Sequence, residues 1–184
     1  MHIPRSLAVR LLGSTVALLA FLAATPVAQE AKEPVAGANN YRRIDANFAS
    51  GGATTAEAFA ELKRLGFRYV VNLRTAAEEG ADIEGEGETV RKAGMAYLSL
   101  PFDLAKPDDV VVTRFLDLAK NQANLPMYVH CRAGHRVSAF LLIKRVQVDG
   151  WTTEKALAEW DALGLNNPRL RDYALAYLKA RAVR

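Results

Sequence analysis

One cysteine, Cys131, is all that the 184 residues contain. A chain with a lone thiol cannot close an internal disulfide, so its stability has to rest on a packed core. Histidine is nearly as scarce, at three residues. Two of these, His130 and His135, share one tight stretch with Cys131, and no second Cys or His cluster exists elsewhere to complete a metal shell; no metal ion and no other cofactor is expected. An excess of one charge is missing too. Lys plus Arg number 24 against 20 Asp plus Glu, which supplies no electrostatic footprint for nucleic acid. Glycine and proline are few, at 12 and 7, while 51% of the residues are hydrophobic. Those numbers exclude a low-complexity chain and suit one globular domain with a sizeable core. Internal repeats and coiled-coil heptads are absent.

Long apolar runs are absent with one exception. In MHIPRSLAVRLLGSTVALLAFLAATPVAQE, Arg5 and Arg10 precede an apolar run from Leu11 to Ala24, followed by Pro26 and small residues. The run is short for a membrane span, which needs about 20 residues, and the layout is that of a secretory signal peptide. The expected organisation is a signal peptide over residues 1–28, a polar flexible leader over residues 29–40, and one domain over residues 41–184. The mature protein is expected outside the cytoplasm, periplasmic or secreted, with no stable membrane insertion after cleavage. No cysteine lies near the cleavage region to be acylated. Removal of the first 28 residues takes away two arginines and no acid, so the mature chain is close to neutral. A lone thiol in an oxidising compartment is a liability unless it is used or buried, and either role is open to Cys131 at this point.

Along the domain, strands alternate with helices. Tyr41 to Ser50 reads as one or two extended pieces ending at Gly51-Gly52. Thr54 with Glu57 has capping-box spacing, and Phe59, Leu62 and Leu65 continue at helical period up to Gly66. RYVVNLR reads as a strand buried on both faces. The acidic run Glu78 to Glu88 reads as an exposed loop, with a short helix near Glu88 to Ala93. AYLSLP and PMYVH read as further strands. Helices follow from Pro107-Asp108-Asp109, over VSAFLLIKRVQVD, and through the C-terminal third, where Trp151 and Trp160 read as packing residues. This order predicts an α/β domain with a central, mostly parallel sheet flanked by helices. Ligands of such sheets bind beyond the carboxyl ends of the strands, where Cys131 falls.

VHCRAGHRVSAF, Val129 to Phe140, runs from a strand into a helix. Such a turn aims successive N–H groups into a shared hollow, and the helix N-terminus adds partial positive charge, so the hollow favours an oxyanion. A thiol at its lip has a lowered pKa and is nucleophilic. Gly134 lets the chain turn without a side chain blocking the hollow. Arg132 and Arg136 offer planar forks for phosphate-like oxygens. Ser138 is placed to donate to a thiolate, and His130, at the strand end, to order the loop.

VHCRAGHRVS resembles the signature loop of the cysteine-dependent protein tyrosine and dual-specificity phosphatases, His-Cys-x-x-Gly-x-x-Arg-Ser/Thr. The likeness runs from about Tyr41 to Leu178 and is strongest to bacterial phosphatase-like proteins. NFASGGATTAEAFAELKRLGFRYVVNLRT is similar to their opening strand, helix and strand, YLSLPFDLAKPDD to the segment carrying the general acid, and DGWTTEKALAEW to the helix after the loop. The resemblance implies a protein tyrosine phosphatase-like fold and a hydrolase of phosphate monoesters that acts on phosphotyrosine or another phosphorylated protein or small molecule. It implies that Cys131 is the nucleophile, forming a phosphocysteine, and that Asp103 protonates the leaving oxygen. The phosphate would be held by Arg136 and by the loop of Arg132, Ala133, Gly134, His135, Arg136 and Val137, with His130 and Ser138 in support.

The arginine departs from the pattern. His130, Cys131, Gly134 and Ser138 fall at the family's spacing, but Val137 stands at its arginine position and the arginine comes one residue early. On an unchanged backbone that side chain leaves the first helical turn rotated by roughly 100°, which predicts a weaker or differently aimed clamp. If the loop is instead one residue tighter, Cys-Arg-Ala-Gly-His-Arg also resembles the rhodanese pattern Cys-Arg-x-Gly-x-Arg. The alternatives are then a sulfurtransferase carrying a Cys131 persulfide and a catalytically weak phosphate- or anion-binding module. Of the acids near the site, Asp108 and Asp109 suit a helix start. Asp103 follows a strand end on the predicted active face. Arg74, also just past a strand end, reads as a structural or rim residue.

Overall fold

The computed structural model describes residues 2, 34–165 and 167–182; the expected signal peptide lies outside them apart from His2. Five strands form one sheet: β1 (Arg42–Arg43), β2 (Phe48–Gly51), β3 (Tyr69–Asn72), β4 (Ala96–Ser99) and β5 (Met127–His130), in the order β1-β2-β5-β3-β4. Only β1 runs antiparallel, and the sheet is otherwise parallel. The helices are α1 (Ala56–Arg64), α2 (Ile83–Lys92), α3 (Asp109–Lys120), α4 (His135–Gln147), α5 (Thr153–Leu163) and α6 (Pro168–Ala182). The expected α/β class, with a mostly parallel central sheet between helices, is the fold observed. Among the described residues no helix is long and apolar enough to cross a membrane.

The period-two alternation of each strand divides the core into two layers. Val70 and Tyr128 join Phe59, Leu62 and Val90 beside α1 and α2. Val71, Met127 and Val129 join Phe115, Phe140 and Trp160 beside α3 to α6. Helix α4 is the central member of that second layer. Its residues Val137 to Arg145 are all buried, and Phe140 packs edge-on to both Phe102 and Phe115, with centroids 5.1 and 5.3 Å apart. Burial of such a ring is worth roughly 1.5–3 kcal/mol, which anchors the helix whose first turn enters the site.

Three local expectations are corrected. The packed domain begins before Tyr41: Val35 and Ala38 are buried in the α1 layer, and Ala38 bridges Thr54, so the last part of the expected leader belongs to the fold. The cap of α1 is Thr55, not Thr54. The Thr54 hydroxyl is drawn instead to Gly52 O and to the hydroxyl of the buried Tyr128, 2.8 Å away. Helix α2 starts at Ile83, well before Glu88, because the Asp82 side chain accepts from Gly85 N–H and Glu84 and Glu86 favour the positive end of the helix dipole. Its two glycines argue for a loop by propensity, but Gly87 is required by packing, since a Cβ there would lie 2.9 Å from the Tyr97 ring.

Candidate active site

The parallel register brings the carboxyl ends of β3 and β5 together, with Asn72 opposite His130. Beyond His130 the chain leaves the sheet, and Cys131 N–H keeps one last bond to Gly51 O at 3.2 Å. The next two carbonyls are pulled backwards. Arg132 O accepts from Ala53 N–H at 2.9 Å, and Ala133 O accepts from the Asn40 amide at 3.2 Å. In a trans peptide the N–H points opposite to the C=O, so pinning these carbonyls behind the loop turns the N–H groups of Ala133 and Gly134 forward. Gly134 N–H accordingly donates to Cys131 Sγ at 3.1 Å. Gly134 is in the left-handed region at φ 93° and caps α4, and a Cβ on it would meet Leu165 Cδ1 at 2.9 Å. Gly52 permits the close approach from behind, since its Cβ would lie 2.9 Å from Arg132 O.

Cys131 is buried at the base of a cleft of about 440 Å³ lined by Thr75, Glu78, Asp103, Arg132, His135 and Arg136, among others. Arg136 lies in the first turn of α4 and faces the exits of β3 and β4. Its Nη1 donates to Leu73 O at 2.8 Å and Phe102 O at 3.1 Å, and Nη1 and Nη2 each reach one Glu78 oxygen at 2.7 Å. No oxygen meets Nε among the described residues. Burial opposes the guanidinium charge, but Glu78 and Cys131 outweigh it and hold the group above its ordinary pKa. The Glu78 carboxyl is likewise penalised by burial, yet Arg136, Thr75 N–H and Arg74 bring it below the usual glutamate value. Arg74 holds the segment that presents Glu78, donating to Glu79 O at 2.6 Å and Gly80 O at 3.1 Å.

The other anticipated residues divide between cleft and core. Asp103 is exposed on the cleft wall, with its Oδ1 accepting from Ala105 N–H at 2.9 Å. Arg132, Ala133 and His135 line the cleft. The Val137 side chain does not: it is fully buried in the core, and the residue lies in the first turn of α4. Ser138 is corrected as well. Its hydroxyl donates to His135 O at 2.9 Å and Leu165 O at 3.3 Å and not to the thiol, because those carbonyls lie within reach of the first turn. His130 is buried with Nε2 at 2.9 Å from Glu86 Oε1. Asp108 caps α3 through Val110 N–H, and Asp109 accepts from Tyr173 and Arg181.

Sequence reasoning missed Glu78 and Glu86, both inside the run taken for an exposed loop. It missed Asn40 and Ala53 as well, which hold the loop from behind. The first two had a legible signal, an acidic segment beginning just past a strand whose neighbour carries two arginines. For the last two there was none: Ala53 bonds through its main chain, which leaves no mark on residue type, and the Asn40 side chain finds its carbonyl 93 residues away.

The arrangement is a cleft that holds a buried thiol with a loop N–H aimed at it, a fixed guanidinium and an exposed aspartate. A family model described as DSP-PTPase phosphatase fused to NAD+ kinase matches residues 21–172. Similar solved structures include a DUF442 protein assigned to the phosphatases, from Shewanella putrefaciens, at 25% identity and TM-score 0.64, over 77% of this chain and 90% of that one. TpbA of P. aeruginosa is similar at 25% identity and TM-score 0.60, over 77% and 84%. The core catalytic domain of a PP-IP phosphatase from S. cerevisiae shares the fold at 17% identity and TM-score 0.64, over 78% and 88%. No curated relative matches the sequence.

Proposed function

This chain belongs to the DSP-PTPase branch of the cysteine-dependent tyrosine and dual-specificity phosphatase superfamily, and from that premise we propose that it hydrolyses phosphate monoesters through a phosphocysteine. The Cys131 thiolate attacks phosphorus, forming an S–P bond as the ester P–O bond breaks. Asp103 gives its proton to the leaving oxygen. Water then attacks phosphorus, Asp103 takes back a proton, the S–P bond breaks, and inorganic phosphate leaves. Loop N–H groups and the Nε edge of Arg136 carry the oxyanion charge throughout. The observation that carries this reading is the Gly134 N–H at 3.1 Å from Cys131 Sγ, in a cleft that also holds Arg136 and Asp103. A TpbA variant has a structure in complex with pTyr, which supports a phosphorylated protein or small molecule as the substrate class. We further propose, from the Arg-flanked apolar N-terminus, that the enzyme is exported. Cell fractionation should find a shortened form outside the cytoplasm, and a full-length cytoplasmic form would refute export.

The test is turnover of aryl phosphates by Cys131→Ser and Asp103→Asn. Cys131→Ser should remove turnover with the fold intact. Asp103→Asn should slow an ester with a poor leaving group by roughly 10²–10⁴-fold, and an activated aryl phosphate far less. Equal loss on both esters would sink the role of Asp103. The early arginine favours one second reading: Arg136 stands five residues after Cys131, at the rhodanese-like spacing, which suits a sulfane sulfur on Cys131. A persulfide mass after thiosulfate, without phosphate turnover, would establish that sulfurtransferase reading. Phosphate binding with neither activity would mark an anion-binding module.

A further inference from the structure

Behind the thiol, on the opposite face of β5, lies a buried polar cluster that the reaction above does not use. Glu86 projects from the first turn of α2, with its side chain only 11% exposed. One of its oxygens, Oε1, accepts from two elements at once: His130 Nε2 at 2.9 Å and Asn72 Nδ2 at 2.8 Å. The Tyr97 hydroxyl lies 3.3 Å from Asn72 Nδ2, beside the same cluster. A buried carboxylate is costly unless satisfied in this way.

Each donor controls a different side of the cleft. His130 immediately precedes Cys131. Its Nδ1 is buried and meets no polar partner among the described residues, so a proton there would be an unsatisfied buried donor. The carboxylate can only accept, which puts the proton on Nε2 and ties the ring to Glu86. Tyr128 stacks on that ring at 5.6 Å and 8°, fixing its plane. On the other strand, Asn72 Oδ1 accepts from Arg74 N–H at 2.7 Å, shaping the turn that delivers Arg74 and then Glu78, the partner of Arg136. A single oxygen thus joins the two strand ends that supply the nucleophile and the holder of the arginine.

We infer that Glu86 is a positioning residue of the active site, acting as a double acceptor that sets Cys131 through His130 and the Arg136 clamp through Asn72. The inference rests on the phosphatase reading for its kinetic consequence. Its test uses three variants of the full chain, assayed for kcat and KM on p-nitrophenyl phosphate and for the rate of Cys131 alkylation by iodoacetamide at neutral pH. Glu86→Gln keeps an oxygen able to accept both bonds. Glu86→Asp keeps the charge and shortens the reach, and Glu86→Ala removes both.

Displacements of the order of 1 Å near a reacting atom cost about 100-fold, so Glu86→Asp and Glu86→Ala should lower kcat by roughly 10- to 100-fold, with KM little changed and alkylation slowed. Glu86→Gln should stay within about threefold of the parent on both measures. The inference is overturned if Glu86→Asp retains full kcat and alkylation, or if Glu86→Gln is as damaged as Glu86→Asp, which would assign the effect to charge. The Gln and Asp variants suffice should the Ala variant not fold. If the parent protein turns over no ester, the phosphatase reading fails, while the alkylation contrast still decides the role of Glu86.

Discussion

At its C-terminal end α4 buries Lys144 and Arg145, and all three nitrogens of the Arg145 guanidinium meet carboxylates: Nε and Nη2 on Glu159, Nη1 on Asp149, and Nη2 also on Asp45, at 2.8–2.9 Å. Lys144 Nζ meets both Asp149 oxygens at 2.8 Å. At its N-terminal end the same helix carries Arg136, whose Nη atoms are taken by Glu78 and two carbonyls while Nε meets no oxygen among the described residues, and Arg132 lies exposed beside it. The first end is electrostatically closed. It joins the β1–β2 turn and α5 to α4, and a carboxylate meets every nitrogen of its guanidinium. The second is held by oxygens on its Nη atoms and shares a cleft with a thiol. Both ends hold a largely buried cation, and they differ in their surroundings: carboxylates meet all three nitrogens of Arg145, whereas Arg136 meets one carboxylate and two carbonyls beside the thiol.

Arginine-to-alanine changes at the two ends should separate those roles most sharply. Arg136→Ala should lower kcat/KM on an aryl phosphate by about 10²–10³, the usual cost of losing an oxyanion donor, with a modest change in Tm. Arg145→Ala should instead cost about 3 kcal/mol of stability, since it leaves partly buried carboxylates without their cation. Its kcat/KM per folded molecule should hold. Denaturant melts beside steady-state kinetics read both, and a large kinetic loss in Arg145→Ala would erase the distinction.

A smaller effect sharpens the comparison through pH. The Glu78 carboxyl titrates below its ordinary value of 4.5 in the fold, so its ionised form contributes stability that is fully present above that value. The contribution is lost as pH falls through the lowered folded value. Melting temperature should therefore fall more steeply with acid in the parent than in Glu78→Gln below about pH 4.5, and the two curves should run parallel above it. Parallel curves throughout the acid range would show that Glu78 is not clamped by Arg136.

Ser138→Ala should give the smallest change. Its hydroxyl serves the carbonyls of His135 and Leu165, a net contribution of about 1 kcal/mol, and the thiol does not depend on it. Turnover should stay near that of the parent; a large loss would restore the thiolate-donor role that the spacing suggested.

How far the site was legible follows from the range of each interaction. Cys131, Gly134 and Arg136 lie within one strand-turn-helix passage, where residue type and spacing report local geometry, and Asp103 was found because it follows a strand end on the same face. The Ser138 reading failed inside that passage because a hydroxyl in a first helical turn has main-chain acceptors closer than any thiol. The acidic run was misread because propensity scored its glycines and could not register that Gly87 faces the Tyr97 ring or that Glu86 has two buried donors waiting.

Hydrophobic periodicity and turn residues were enough to establish the α/β class, the mostly parallel sheet and the end of the sheet at which Cys131 lies, because these depend on patterns repeated over many residues and tolerant of single errors. The aim of Arg136 was not of that kind. One residue of displacement along α4 could have spoiled the clamp or merely moved it, and the outcome hung on the Leu73 and Phe102 carbonyls and the Glu78 carboxylate, drawn from segments 34 to 63 residues away. Those partners meet the guanidinium only once β3, β4 and β5 lie side by side, so the direction of a long side chain was decided by acceptors that the fold assembles and no local pattern encodes.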